Sequence, residues 1–290
     1  MKGTLLLTVA LAVALNGAQA DTIAQWNFNS VPLDTNTTTG TTTPSIGAGT
    51  ASLIGGTTAS FATGDTAVDP ANTNDNSGWN TTTYPAQGTG NKTGGVRFNV
   101  STAGRQNISI SWSERVSGTG SKYVRLQYTS NGTDFVDSPA ATAINLATTF
   151  EAKSVNLGSF ARVNNNSNFA FRIVAEFEST AANTANANYV GASSSYLTTG
   201  TIRFDMVTVS GSTIPLASAP ATLSAAAYDA NSGFHFTLSG TTGASYIIQA
   251  STNLSISNWI SLQTNASPFN FSDSNSSSFP QRFFRALAVP

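Results

Sequence analysis

Apolar residues recur at every second position through most of this chain. Val96, Phe98 and Val100 alternate with Arg97 and Asn99, and Ile108, Ile110 and Trp112 alternate with serines. Val124, Leu126 and Tyr128 alternate with Tyr123, Arg125 and Gln127. Ile23, Trp26 and Phe28 mark an earlier strand; Ile202, Phe204 and Met206 lead a later one. Phe169, Phe171, Ile173 and Phe177 interleave with Arg172, Glu176 and Glu178, which predicts one strand with both glutamates on one face. A period of two sends successive side chains to opposite faces, so each segment has an apolar and a polar side. Antiparallel sheets packed face to face need that pattern. Beyond residue 20, no segment carries the 3.6-residue apolar stripe of a helix. Asn131-Gly132, set between apolar runs, predicts a hairpin, because both residues tolerate positive φ.

Two stretches break the alternation. Residues 29–95 are rich in Thr, Gly, Asn and Ser, with apolar points at Leu53, Ile54, Phe61, Trp79 and Tyr84. They predict short strands joined by long surface loops. Gly211 to Ala221 reads GSTIPLASAPA, the composition of a linker. After it the alternation restarts with Phe234, Phe236 and Leu238, then Tyr246, Ile248 and Ala250, followed by Trp259, Phe269, Phe271, Phe283 and Phe284. The expectation is an all-β chain: a β-sandwich over 21–211, a linker over 212–221 and a small immunoglobulin-like sandwich over 222–290. Trp26, Trp112 and Trp259 sit in strand patterns and are expected in the cores.

The first 20 residues differ from all of this. Lys2 precedes an apolar run from Leu5 to Leu15, and Ala18-Gln19-Ala20 is a small-x-small cleavage pattern. These are the three parts of a secretory signal peptide, and the run is shorter than a membrane span. The mature chain is expected to start at Asp21 and to be secreted, to the extracellular space, the cell surface or a periplasm. No second apolar run appears, so no transmembrane segment is expected in the mature chain. The 290 residues include no cysteine, which removes disulfides, thiolate metal sites and cysteine catalysis. Charged residues are 9 %, with 13 Lys+Arg against 14 Asp+Glu. Nucleic acid is therefore not expected as a partner, since neutralising phosphates takes clustered Lys and Arg.

Several motifs carry a resemblance. They are Ala24-Gln25-Trp26-Asn27-Phe28, residues 94–102 (GGVRFNVST), residues 110–115 (ISWSER) with 121–128 (SKYVRLQY), and residues 204–211 (FDMVTVSG). With these the larger part resembles a jelly-roll module of secreted proteins from Verrucomicrobia and Planctomycetes, often found with PEP-CTERM sorting signals. Residues 246–254 (YIIQASTNL), Trp259 and residues 280–286 (PQRFFRA) are similar to the immunoglobulin- or fibronectin-like module that ends many such proteins. The resemblance implies a jelly-roll architecture and says little about activity. The final residues show no apolar helix followed by a basic cluster, so membrane retention by that sorting route is not expected.

Candidate chemistry is sparse. His235 is the only histidine and lies between Phe234 and Phe236, so it is expected on the outer face of its strand rather than in a catalytic triad. Glu114, Glu176 and Glu178 could serve a glycosidase or lyase. Cross-strand pairing with Arg115, Arg125 or Arg172 is the plainer expectation. No cofactor is required by the sequence; calcium is the one candidate, and turn hydrogen bonds by Asp and Asn side chains are the plainer expectation. Jelly-roll carbohydrate-binding modules often hold calcium where first and last strands meet, which points to Asp205 with Asn27 or Asn29. The oxygen-rich stretch from Asp69 to Asn76 is a second candidate. Trp79 and Tyr84 either stack on sugar faces from the loops, with Arg125 and Gln127 adding polar contacts, or fold back to close the core. Large aromatics are usually well buried, which favours the second.

These features suit three functional readings. The first is a secreted, non-enzymatic protein that binds polysaccharide or matrix material. The second is a structural envelope component whose last module docks or sorts it. The third is a carbohydrate-active hydrolase or lyase using the strand carboxylates.

Overall fold

Alternation in the sequence becomes alternation in space across nearly every strand. The computed structural model describes residues 20–69, 75–138, 144–214, 219–229, 231–254 and 258–289. The expected signal peptide through residue 19, residues 70–74 of the oxygen-rich stretch and residues 215–218 of the expected linker lie outside the described residues. The chain is all-β and divides into two units between Ile214 and Pro215.

In chain order the larger unit has β1 (Asp21–Trp26), β2 (Ile46–Gly47), β3 (Thr50–Ile54), β4 (Thr58–Thr63), β5 (Ser77–Thr82), β6 (Gly95–Asn99) and β7 (Arg105–Val116). It continues with β8 (Tyr123–Thr129), β9 (Val136–Asp137), β10 (Ile144–Asn145), β11 (Glu151–Asn156), β12 (Ala170–Ala175), a short helix α1 (Glu178–Ala182) and β13 (Ile202–Thr213). One sheet runs β11-β7-β13-β1-β2, with β5 also on β13 and β4 on β5. The other runs β10-β8-β12-β6-β3, with β9 also on β8. The inner faces meet in one core. Trp26 meets Phe98 edge-on at 4.9 Å, and Phe98 stacks on Phe171 at 4.9 Å. Such contacts add to the area term that dominates burial.

Local sequence misses three turns of the chain. β12 stops at Ala175, and Phe177 leaves the strand to pack edge-on against Tyr189 at 4.7 Å. Glu178 therefore opens α1 and does not share a strand face with Glu176. The register of β13 shifts between Asp205 and Thr208, with Met206 at φ 47°. An extra residue in one strand flips the side chains beyond it to the other face. Val207 and Val209 take the buried positions while Met206 is half-exposed. β13 also runs on to Thr213, past the expected end of the unit at residue 211.

The smaller unit holds β14 (Thr222–Asp229), β15 (Gly233–Ser239), β16 (Ser245–Ser251), β17 (Ile260–Ala266), β18 (Phe269–Asp273) and β19 (Phe283–Ala288). They form two three-stranded sheets, β14-β15-β18 and β17-β16-β19, around Phe236, Leu238, Tyr246, Ile248 and Phe271. Trp259 is not part of this core: it is half-exposed, with the Arg285 guanidinium 4.3 Å from its ring. His235 is half-buried, its ring nitrogen 3.4 Å from the Gly233 carbonyl.

Candidate functional site

The outward face of the β8-β12-β6 sheet carries Arg97, Arg125, Asp137 and Arg172. Register sets Ser52, Arg97, Arg172, Gln127 and Asp137 side by side across five neighbouring strands. Arg125 and Glu176 lie at one end of this face, where α1 covers them. The Arg125 guanidinium grips Glu176 with two bonds of 2.9 Å, and Lys92 reaches the same carboxylate at 3.3 Å. Gln127 donates to Asp137 at 2.7 Å and accepts from Arg172 Nε at 2.6 Å. Lys92 and Gln127 hold Asp137 below the usual carboxylate range despite partial burial. Arg125 and Gln127 were candidates for ligand contact, but their exposures are 4 % and 6 %, and their polar groups are spent inside the protein.

Trp79 and Tyr84 are corrected as well. They are 4 % and 3 % exposed and belong to the core. Trp79 stacks on Phe28 at 5.6 Å, and the Tyr84 hydroxyl shares a 2.6 Å hydrogen bond with Thr81. Neither ring offers a face to a sugar. The apolar area gained by folding inward outweighs anything a loop position would recover.

Asp205 does sit where the first and last strands run side by side. Its carboxylate accepts from the backbone N–H of Asp65 and of Met206, each at 2.7 Å. Ser113, opposite it in register, donates to Asp65 at 2.5 Å. Asn29 donates to Asp69 at 2.6 Å and accepts from Ser77 N–H. Asp65, Asp69, Asp75, Asn76 and Asp205 are all buried. Burial, with Asp69 and Asp65 nearby, pushes Asp205 up to about 8. Asn27 turns back to accept the N–H of Asn29, and Asn29, three residues past the end of β1, is the one bonded to Asp69.

Among the described residues, no group of three or more His, Cys, Asp or Glu side chains is placed so that it could hold a metal ion. The donor chemistry nonetheless fits calcium, since every side-chain donor is a carboxylate or amide oxygen. Asp75 Oδ1 and Asn76 Oδ1 are buried without a hydrogen-bond partner among the described residues. Gly64 leaves room beside the oxygens: a methyl group there would collide with Asn76 Oδ1 and Asp205 Oδ2.

Glu114 was expected to pair across strands. Instead it points inward from β7, in the alternation that buries Trp112 and Val116, and is fully buried. Among the described residues neither carboxylate oxygen completes a hydrogen bond, nor does the Trp112 indole nitrogen close by. Burial pushes Glu114 up to about 8; the Trp112 indole and Lys153 pull it back, and Glu151 adds to the rise. Glu114 faces the interior from one sheet and Glu176 faces outward from the other, so the two share no cleft. Glu178 is tied to Asn186 at 2.7 Å.

The open site lies where the sequence offered no warning. A cleft of about 500 Å³ opens between the β8–β9 hairpin and the 3-10 turn at Ala161–Val163. Tyr128 and Phe160 form its apolar wall, ring centres 5.7 Å apart and both half-exposed. Asn131, Asp134 and Arg162 add an amide, a carboxylate and a guanidinium. Asn131 Oδ1 accepts the N–H groups of Thr133 and Asp134, and its amide donates to Asp134 at 2.7 Å, so the hairpin tip is held by its own side chains. The Asn-Gly signal anticipated this hairpin. Nothing marked Phe160, a lone ring in a polar stretch.

No protein-family model matches the sequence, and no curated protein matches it. Solved structures give distant likenesses. The CBM22-1 xylan-binding domain of Paenibacillus barcinonensis Xyn10C is 9 % identical, with 68 % of this chain and 98 % of that chain covered, at a TM-score of 0.39. The tandem CBM22-1-CBM22-2 domain of the same protein is 8 % identical over 95 % of this chain and 86 % of that one, at 0.40. The K1 cleaved adhesin domain of Lys-gingipain from Porphyromonas gingivalis W83 is 14 % identical over 56 % and 98 %, at 0.27. At these scores the likenesses carry no argument about ligand.

Proposed function

We propose that this is a secreted, non-enzymatic protein whose larger unit binds carbohydrate in the cleft between the β8–β9 hairpin and Phe160. The observation that carries the reading is the cleft's composition: two half-exposed rings beside an amide, a carboxylate and a guanidinium. Sugar rings present apolar C–H faces and hydroxyl edges, and this wall can meet both. The non-enzymatic part is supported by the carboxylates, which are either spent in hydrogen bonds and ion pairs or sealed in the core. Secretion is supported by the n-region, apolar run and cleavage pattern of the first 20 residues.

Calcium belongs to the same reading. Asp75, Asn76 and Asp205, with Asp65 and Asp69 beside them, would hold it. When bound, the ion neutralises these buried carboxylates and stabilises the fold through them.

Phe160→Ala tests the binding site. Binding to a panel of immobilised plant and bacterial polysaccharides should weaken more than tenfold, a loss of about 1.4 kcal/mol or more, with the melting temperature nearly unchanged. No binding to any polymer, or full binding by the variant, ends the proposal.

A further inference from the structure

The charges on the outward face of the six-stranded sheet divide into two groups. Lys92 and Arg125 are matched by Asp137 and Glu176. Arg97 and Arg172 are not matched: among the described residues neither has an ion pair. They stand directly opposite each other on β6 and β12, roughly 4.8 Å apart strand to strand. Like charges so placed repel, and the sheet does not disperse them. Other contacts hold them in place. Arg97 donates from Nε to Asn99 and from Nη2 to the Gly132 carbonyl, at 3.0 and 2.9 Å. Arg172 donates from Nε to Gln127, and among the described residues its two Nη groups make no hydrogen bond. The Phe135 ring packs on both guanidiniums, with centroid distances of 5.1 and 4.4 Å. Partial burial and the neighbouring Arg97 work against the charge on Arg172, and Asp137 on the same face only partly offsets them.

A second opposed pair, Arg115 and Arg203, lies on the other sheet, with the Arg115 guanidinium 6.0 Å from the Phe150 ring. There Arg203 spends Nη1 on the Thr63 carbonyl and Nε on Asn80. Arg172 keeps the fork that grips an oxyanion. Phe135 closes the same hairpin loop whose Asn131 and Asp134 line the aromatic cleft, so one loop serves both places.

We propose that Arg97 and Arg172 form a subsite for the anionic oxygens of an acidic polysaccharide, a uronate carboxylate or a sulfate ester. This rests on the carbohydrate-binding reading and narrows it to charged glycans. A bound anion would offset the repulsion between the arginines, while exposed Ser52 alongside offers a hydroxyl contact to the sugar.

The test measures binding of the full chain to polygalacturonate, a sulfated galactan and neutral xylan, with duplex DNA as competitor. At least one acidic polymer should bind, the two distinguishing carboxylate from sulfate. Arg172→Gln should weaken that binding about tenfold or more, leaving any xylan binding unchanged. Its melting temperature should hold or rise, since one of two repelling charges is gone. Arg172→Lys, which keeps the charge without the fork, should fall between, and it serves as the readout if Arg172→Gln fails to fold. Equal affinity in wild type and variants overturns the proposal, as does competition by DNA as strong as by the acidic polymer. Binding to xylan alone overturns it and leaves the carbohydrate reading standing. Binding to no polymer ends both.

Discussion

Glu114 follows the alternation of β7 faithfully and ends with its carboxylate in the sandwich interior, without a hydrogen bond among the described residues. Its ordinary value is 4.5, and burial lifts it to about 8. The fold therefore keeps a proton near pH 6 that the unfolded chain has already released. Stability tied to this group is full below the ordinary carboxylate value and is lost as pH rises through about 8. Glu114→Gln keeps the shape and removes the titration. It should melt with wild type at pH 4 and above it at pH 8, by about 2–4 °C per kcal/mol recovered. Calorimetry at both values checks this; a variant less stable at pH 8 would mean that the carboxylate has a charged role. Pairing across strands was the expectation for this residue; instead it continues the alternation of Trp112 and Val116, which turns it inward. Which groups surround it there is a fact of three-dimensional packing.

Segments between the strands carry most of what was unexpected. The β8–β9 hairpin was legible because Asn131-Gly132 is local turn chemistry. The turn of chain after Ala175 was not, because Phe177 leaves its strand for Tyr189, a contact made only once the later segment folds over β8. That same cover seals Arg125 from solvent. The calcium candidates behave likewise. The oxygen-rich stretch and Asp205 were visible as oxygen donors, and folding buries Asp69, Asp75, Asn76 and Asp205. Calcium should stabilise the fold through these donors. Adding about 1 mM calcium to EDTA-treated protein (on the order of the weaker protein sites) should raise the melting temperature by a few degrees. Asp205→Asn should abolish most of the response, and an equal rise in wild type and variant would remove Asp205 from the site.

The two units differ in how much core each can bury. The larger packs Trp26, Phe28, Trp79, Phe98, Phe171 and Phe204 with many aliphatic residues, whereas the smaller relies on Phe236, Leu238, Tyr246, Ile248, Phe271 and Ala244. Stability rises with the fraction of surface buried, which falls steeply for small domains. Two thermal transitions are expected in scanning calorimetry, the earlier one belonging to the smaller unit. Trp259→Phe should remove the fluorescence change that accompanies it and leave the later one intact. A single transition reported identically by all probes would show the units unfolding as one.

The all-β character, most strand cores and the placing of Trp26 and Trp112 inside were readable along the chain. Alternation comes from backbone geometry and burial between near neighbours, so a short window contains it. The export pattern and the lack of cysteine chemistry are likewise local or compositional readings. Site chemistry depended on residues far apart in the chain. Asp65 meets Asp205 across 140 residues, and Arg125 meets Glu176 across 51. Whether a polar side chain is spent or available depends on which distant segment lies over it and removes its water. That is why Trp79, Tyr84, Arg125 and Gln127 became structural, while Phe160, Arg162 and the Arg97–Arg172 pair were left facing outward.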